Sequence, residues 1–300
     1  MVESAAHTPV MSREVLNLLD PARRAVLVDC TIGWGGHAEA LLSASKAGVL
    51  VGIDLDEGNL AAAKDRLSRF AARLRLFQAN FADIRVVLAE AGLQAADAVL
   101  ADLGVASSQL DDAGRGFSFA ADGPLDMRMD RRSPRTAADL VGKLTEADLA
   151  DLIYRFGEER YSRRIARAIV AARRNRPILR TRHLAEVIAS AIPAPARAAR
   201  RGVHPATRTF QALRIAVNDE LASLDGLLAA LPDALCVGGR AAIISFHSLE
   251  DRRVKRAFAA WAATKRARLL TKKPTVPSDR ESVENPRSRS AKLRAIEKGA

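Results

Sequence analysis

A glycine-rich turn and a following aspartate have the spacing of a site for an adenosine-containing cofactor. Gly33-Trp-Gly-Gly-His37 follows an apolar run, and glycines let the backbone approach a ligand closely. Asp54 ends the next apolar run, 21 residues after Gly33, where a carboxylate can accept hydrogen bonds from ribose hydroxyls. Asp56 competes for this role, although it could simply cap the next helix. Together the turn and the acid predict a cofactor that contains adenosine.

Two further residues stand where the next two apolar runs end. Phe81 can stack on a purine, although an isolated phenylalanine is more often part of a core. Asp102, in Asp102-Leu-Gly-Val105, closes the fourth run, and Gln109 lies shortly beyond it. Ligands bind at the carboxyl ends of the strands in an open α/β sheet. Asp102 is therefore expected where a transferred group meets its acceptor.

These residues need a parallel sheet that brings the strand ends together. Apolar runs alternate with helical patterns through the first hundred residues, which is typical of parallel strands covered on both faces. The predicted fold class is α/β with a Rossmann-like core. Strands are predicted over 25–29, 49–54, 74–77, 98–102 and 239–246, and a C-terminal pair near 268–271 and 291–297.

The strand pattern stops between residues 111 and 206. Helical periods run over 145–156, 158–175 and 181–191. We therefore predict an inserted all-helical domain, 111–206, within a discontinuous core formed by 1–110 and 207–300. In that core, 207–231 is predicted as one long amphipathic helix.

The charge of the chain favours a polyanionic partner. The net charge is +12, and residues 111–206 hold 19 Lys+Arg against 12 Asp+Glu. On a helical wheel several arginines share one arc opposite Ile165 and Ile169, so one face presents guanidinium groups suited to phosphate contacts. These are Arg160, Arg163, Arg164, Arg167 and Arg174. The alternative is a solvated face partly neutralised by Glu158 and Glu159. The same insertion also carries several further arginines, which favour a nucleic acid as the partner. These are Arg128, Arg131, Arg132, Arg135, Arg197, Arg200 and Arg201.

Long strings of residues run in a fixed order through nearly the whole chain. They are His7-Thr-Pro-Val10, Asp29-Cys-Thr31, Gly33-Trp-Gly-Gly-His37, Asp102-Leu-Gly-Val105 with Gln109, Arg115-Gly-Phe-Ser-Phe119, Asp122-Gly-Pro-Leu-Asp-Met-Arg-Met-Asp130, Gly157-Glu-Glu-Arg-Tyr-Ser162, His204-Pro-Ala-Thr-Arg-Thr-Phe-Gln-Ala-Leu-Arg214, Ser245-Phe-His-Ser-Leu-Glu-Asp251 and Asn285-Pro-Arg-Ser-Arg-Ser-Ala-Lys-Leu-Arg294. With these strings the chain resembles the bacterial 16S rRNA (cytosine-N4) methyltransferase family, called RsmH or MraW.

The resemblance implies S-adenosylmethionine as cofactor and N4-methylation of a decoding-centre cytidine in 16S rRNA of the small ribosomal subunit. It also implies a Rossmann-like methyltransferase core with an inserted helical domain. The family departs from this chain at Ala106-Ser-Ser108, where Ser-Ser-Pro is usual. The cofactor residues it implies are Gly35, Gly36, His37, Asp54, Phe81, Asp102 and Gln109.

The chemistry expected at Asp102 follows from the acceptor. A cytosine amine is a poor nucleophile, so it must be aligned and must donate a hydrogen bond as positive charge develops. Asp102 could accept that bond, or it could only hold the cofactor. Neither Cys30 nor Cys236 follows the fourth strand, which argues against methylation at C5. Three polar residues follow the fifth strand, and they either position RNA or assist proton transfer, or else form a helix start capped by Ser248. They are His247, Glu250 and Asp251.

Other function classes remain open from the residues alone. An NAD-dependent oxidoreductase shares the glycine turn, but the C-terminal strand pair and the basic insertion favour the methyl donor. A non-catalytic rRNA-binding assembly factor is the second alternative. No apolar run is long enough for a membrane span, no signal peptide is visible, and the His and Cys spacing predicts no metal site. We expect a cytoplasmic protein, and the oligomeric state stays open.

Overall fold

The computed structural model describes residues 9–198 and 202–299 of the 300-residue chain. Within these ranges the strands are β1 (Val26–Asp29), β2 (Val49–Asp54), β3 (Leu74–Gln78), β4 (Ala96–Asp102), β5 (Leu235–Ser245), β6 (Ala267–Leu269) and β7 (Lys292–Lys298). The α-helices of the same ranges are α1 (Ser12–Leu19), α2 (Gly36–Ala44), α3 (Glu57–Arg66), α4 (Ile84–Glu90), α5 (Ser107–Asp111), α6 (Ala137–Lys143), α7 (Glu146–Gly157), α8 (Ser162–Asn175), α9 (Thr181–Ala191), α10 (Ala194–Ala198), α11 (Thr207–Asn218), α12 (Glu220–Ala234), α13 (Ser248–Ala263) and α14 (Asp279–Glu284). His7, Thr8, Arg200 and Arg201, named above, lie outside the described residues.

The chain folds into two compact units. The first contains the residues up to Gly104 and those from Leu221 onward, and the second is Val105–Glu220. The second unit thus begins before residue 111 and ends after residue 206. It extends further because α11 packs on α7 and contributes Phe210 and Leu213 to the helical core.

The first unit is built on one sheet with the strand order β3-β2-β1-β4-β5-β7-β6. The strands β1 to β5 pair in parallel, and β7 is antiparallel to both β5 and β6. The Rossmann-like fold class and the C-terminal strand pair are confirmed. The register pairs Asp29 with Leu100 and Asp102 with Ile244, so the carboxyl ends of β1, β4 and β5 lie side by side.

Alternate residues of the central strands enter two different cores, as the pleat requires. Leu27 and Leu50 pack with α1 and α2 on one face of the sheet. Val28 and Val51 pack with α4, α12 and α13 on the other face. Each strand is therefore apolar at nearly every position, which is why the strands are recognisable as continuous runs. None of the helices in the described ranges combines the length and apolar character needed to cross a bilayer.

Two helix predictions are wrong at positions where a residue other than glycine has a positive φ. The helix predicted over 158–175 begins only at Ser162, because Glu158 ends α7 with a φ of 48°. The single helix predicted over 207–231 is two helices, α11 and α12, interrupted at Asp219, which also has a φ of 48°. An aspartate tolerates the left-handed conformation better than most residues, and here it ends α11.

Candidate functional site

The glycine turn after β1 depends on backbone conformations that favour glycine. Gly33 has a φ of 51°, and Gly35, which precedes the first residue of α2, has a φ of 79°. A Cβ atom on Gly35 would lie 3.1 Å from Leu67 Cδ1. The amide of Gly33 donates a hydrogen bond to Asp54 Oδ2 at 2.9 Å. The turn is thereby tied to the end of the neighbouring strand β2.

Asp54 is held in place by three donors at the end of β2. Besides the Gly33 amide, the Asp56 amide donates to Oδ1 at 2.9 Å and Asn59 Nδ2 donates to Oδ2 at 3.2 Å. Burial raises the pKa of Asp54 to about 6, although the hydrogen bonds from Asp56 and Gly33 oppose this rise. Asp56 itself accepts a hydrogen bond from the Gly58 amide and caps α3. Its geometry is that of a helix cap, whereas Asp54 faces the glycine turn.

His37, in the first turn of α2, lies beside Asp102 at the end of β4. His37 Nε2 lies 3.5 Å from Asp102 Oδ2, which is too long for a normal hydrogen bond. Among the described residues, His37 Nε2 and Asp102 Oδ1 are both buried without a hydrogen-bond partner. Burial alone would lower the pKa of His37, but the carboxylates of Asp102 and Asp29 outweigh it and the pKa is raised. The strand that ends at Asp102 is tied to β1, because the Asp102 amide donates to Thr31 Oγ1 at 2.7 Å.

Asp29 is a site residue to which sequence reasoning assigned no role. It ends β1, is 1% exposed, and accepts one hydrogen bond, from the Thr31 amide to Oδ1. Its Oδ2 is buried with no hydrogen-bond partner in the described part of the chain. Burial raises the pKa of Asp29 to about 6; His37 opposes the rise and the Asp102 and Asp54 carboxylates add to it. The available signal was that Asp29 ends an apolar run just as Asp54 and Asp102 do.

These observations define a carboxylate cluster, which is Asp29, Asp54 and Asp102 at the ends of β1, β2 and β4. Buried carboxylates close together destabilise one another unless cations or hydrogen-bond donors compensate them. Unpartnered oxygens on Asp29 and Asp102 therefore suit a ligand that brings positive charge and hydroxyl donors. They fit S-adenosylmethionine, which carries both. They do not suit the anionic pyrophosphate of a dinucleotide.

Phe81 and Gln109 are predicted cofactor residues that lie outside both the glycine turn and the carboxylate cluster. Phe81 begins a short 3₁₀ turn after β3 and packs, partly buried, against the core that contains α4 and α12. Gln109 belongs to the second unit, on α5, where it is 4% exposed and its Oε1 accepts a hydrogen bond from the Ala106 amide at 3.1 Å. Gly36 begins α2 beside the turn. Their cofactor roles stay predictions.

The residues after β5 form a helix start. His247 caps α13, and its Nδ1 accepts a hydrogen bond from the Glu250 amide at 3.4 Å. The cap is therefore His247 and not Ser248. Asp251 forms an ion pair with Arg294 of β7 at 2.7 Å. Burial alone would raise the pKa of Asp251, but the Arg294 guanidinium reverses this and the pKa is lowered.

The arginines of α8 form a candidate RNA surface in the second unit. Arg163, Arg164 and Arg174 are exposed and have no ion-pair partner among the described residues, whereas Arg167 lies 3.4 Å from Glu146. Ser162, Ile165, Ala166 and Ile169 form the buried face of the same helix. Arg160 is not on this helix. It precedes α8, and its guanidinium lies 4.7 Å from the centre of the Tyr161 ring.

Comparisons with known proteins cover almost the whole chain. A family model described as the MraW methylase family matches residues 4–299. The protein named Ribosomal RNA small subunit methyltransferase H from Syntrophobacter fumaroxidans is 51% identical over 308 residues, covering 97% of this chain and 96% of that protein. The protein of the same name from Geobacter sulfurreducens is 50% identical over 309 residues, covering 98% and 99%.

Proposed function

This chain belongs to the MraW methylase family, and from that premise we propose that it methylates N4 of a decoding-centre cytidine in 16S rRNA, using S-adenosylmethionine. The observation that carries the proposal is the carboxylate cluster beside the glycine turn, with buried oxygens of Asp29 and Asp102 that have no partner among the described residues. A cationic cofactor compensates these charges. The names of the two relatives above support ribosomal RNA as the acceptor.

The cofactor supplies, when bound, an electrophilic methyl group on a positively charged sulfur. Gly35 and the start of α2 allow the backbone to approach it closely. Asp54, held by the Gly33 amide, accepts hydrogen bonds from ribose hydroxyls, and Asp29 compensates positive charge. The full set of residues that we assign to the cofactor is Gly35, Gly36, His37, Asp54, Phe81, Asp102 and Gln109, with Asp29 added.

We assign a catalytic role to Asp102. The cytosine amine becomes positively charged as it takes the methyl group, and it then passes one proton to solvent water. A buried carboxylate oxygen such as Asp102 Oδ1 can accept a hydrogen bond from the amine and stabilise that charge. Exclusion of water strengthens the interaction, because the local dielectric is low.

The inserted helical region, predicted as 111–206 and lying within the compact unit Val105–Glu220, is proposed to recognise the RNA. The exposed arginines of α8 provide phosphate contacts that position the substrate without reading its sequence. Because the substrate is a ribosomal subunit, the reaction takes place in the cytoplasm.

The deciding experiment uses small ribosomal subunits from cells that lack this enzyme. The purified chain is incubated with them and with methyl-labelled S-adenosylmethionine, and the digested RNA is analysed by mass spectrometry. We expect label in N4-methylcytidine. Label in another nucleoside would overturn the acceptor assignment, and RNA binding without label would leave the chain as an assembly factor.

The role of Asp102 is tested with Asp102→Asn in the same assay. We expect kcat to fall at least about 100-fold, as for the loss of a hydrogen bond that stabilises charge developing in the transition state. The affinity for S-adenosylhomocysteine, measured by calorimetry, should change much less. Asp56→Asn is the matched control, because Asp56 is a nearby acid that caps α3. A normal kcat at saturating cofactor, with weakened binding, would reduce Asp102 to a cofactor ligand.

A further inference from the structure

A densely basic segment of the chain lies in the first unit, outside the helical insertion. Residues 251–273 contain nine Lys+Arg and one Asp+Glu, whereas 111–206 hold 19 and 12. The segment comprises most of α13, then β6 and the loop that follows it. Because α13 packs against β6, the whole segment lies at one edge of the sheet.

Most of these cations are not used by the fold. Arg253 pairs with Asp225 at 3.1 Å, and Arg268 pairs with Glu297 at 2.9 Å. Six others are exposed and have no ion-pair partner within residues 9–198 and 202–299. These six, called the edge cations below, are Lys255, Arg256, Lys265, Arg266, Lys272 and Lys273.

The backbone around part of this group is well fixed. The Lys265 amide donates to the Ala262 carbonyl at 3.1 Å, and the Arg266 amide donates to the Trp261 carbonyl at 2.9 Å. The two cations therefore project from an ordered turn at the end of α13. On α13 itself, Lys255 and Arg256 are adjacent residues that both face solvent.

Protection of a sheet edge does not account for the edge cations. β6 is the last strand of the sheet, and charged side chains on such a strand prevent it from pairing with another chain. Only Arg268 lies within β6, and it is already paired with Glu297. The six edge cations lie instead on a helix, a turn and a loop, where strand pairing is not at stake.

We propose that the edge cations form a second RNA-binding surface, on the methyltransferase unit itself, that contacts the phosphate backbone of the rRNA. The proposal rests on the proposed function, because the substrate RNA is the polyanion. Four of the six residues are lysines, whose compact charge suits phosphate contacts that do not depend on base identity. The surface contributes affinity and orientation to the substrate and takes no part in methyl transfer.

The test compares two triple variants of the full chain. The first is Lys255→Gln with Arg256→Gln and Lys272→Gln. The control removes the same charge from exposed cations elsewhere in the first unit, and it is Arg13→Gln with Lys46→Gln and Lys64→Gln. Binding to unmethylated small subunits is measured from low to high salt, and methyl transfer to the same subunits is measured in parallel.

We expect the slope of log affinity against log salt to become shallower by about 2 in the first variant, since each lost phosphate contact removes about 0.7. The KM for subunits should rise several-fold, while kcat and the KM for the cofactor stay unchanged. Lys255→Arg with Arg256→Lys and Lys272→Arg should retain the slope of the unmodified chain. Equal slopes in the first variant and in the control would overturn the proposal. Failure of the proposed function is distinguishable, because it would show as absent methyl transfer in the unmodified chain as well.

Discussion

Replacement of Asp29 by asparagine is expected to stabilise the cofactor-free protein at pH 8, although Asp29 is only 1% exposed. Substitutions at buried positions usually destabilise a protein. Here the ionised side chain lacks a partner at Oδ2 within the described residues and lies near the carboxylates of Asp54 and Asp102. Asparagine keeps the shape and the acceptor for the Thr31 amide, and it removes the charge.

The magnitude follows from the pKa of Asp29, which burial raises from 3.8 to about 6. Because the pKa of Asp29 is higher in the folded state than in the unfolded state, the folded protein loses stability as pH rises from 3.8 to about 6. The stabilisation that protonated Asp29 provides is present below about pH 4 and is lost above about pH 6. A shift of this size corresponds to about 3 kcal/mol, and roughly half of it falls between pH 5 and pH 8. The asparagine amide also needs a partner, so 3 kcal/mol is the upper limit of the gain.

The assay is urea unfolding of both proteins, without cofactor, at pH 5, 6 and 8. The difference in free energy of unfolding between variant and unmodified chain should grow by about 1 kcal/mol from pH 5 to pH 8. Asp97→Asn is the control. Burial alone would raise the pKa of Asp97, but hydrogen bonds from the amides of Val26 and Ala25 lower it, so its stabilising effect is lost only as pH falls below about 4. A difference for Asp29→Asn that stays constant from pH 5 to pH 8 would refute the reasoning.

Three further outcomes are expected. Gly35→Ala should lower the free energy of unfolding by about 2 kcal/mol, because Gly35 has a left-handed φ and an added Cβ would lie 3.1 Å from Leu67. Gly92 also has a left-handed φ, of 69°, but an added Cβ would meet nothing within 4 Å. Gly92→Ala should therefore lower the free energy of unfolding by only about 1 kcal/mol in the same urea titration. Arg294→Gln should lose about 2 kcal/mol by the same measurement, because Asp251, which is only partly exposed, would lose its charge-assisted hydrogen bond and keep only Lys292, at 3.5 Å. A loss below about 1 kcal/mol, as for an exposed ion pair, would contradict this. Combined replacement of Arg163, Arg164 and Arg174 by glutamine should weaken rRNA binding and reduce its salt dependence, whereas Arg167→Gln alone should have less effect because Arg167 already lies near Glu146.

The sheet was predictable because its strands are buried on both faces. A strand such as β2 is apolar at nearly every residue, and its predicted bounds, 49–54, agree with Val49–Asp54. The helix boundaries at Glu158 and Asp219 were not predictable in the same way. Gly157 marks the end of α7 just before Glu158, but no residue type marks the start of α8 at Ser162 instead of residue 158. At Asp219 the left-handed conformation interrupts a sequence whose helical period continues, and no glycine or proline adjoins it. Tertiary packing determines where α11 ends and α12 begins, because α11 joins the helical core whereas α12 packs on the sheet.

The site was predictable as far as single strand ends could define it. Asp54 and Asp102 were identified because each ends an apolar run, and the choice of Asp54 over Asp56 agrees with the hydrogen bond from Gly33 and with the capping role of Asp56. The contact between His37 and Asp102 depends on the register of β1 against β4, which no local pattern reports. Asp29 carries the same local signal as Asp54 and Asp102, because it ends an apolar run, but its burial beside their carboxylates depends on the pairing of strands that are distant in sequence.

The charge of the site separates two cofactor classes that the glycine turn cannot separate. A turn of this kind followed by a helix suits a dinucleotide as well as S-adenosylmethionine, because both bring an adenosine to the same strand ends. Asp29 and Asp102 favour S-adenosylmethionine over a dinucleotide, because their buried carboxylate oxygens, which have no partner among the described residues, would repel a pyrophosphate. We also expect Asp29 to destabilise the cofactor-free fold above pH 6, because burial raises its pKa. A cationic ligand relieves this cost, so the same residues that weaken the empty protein favour the cofactor that we propose.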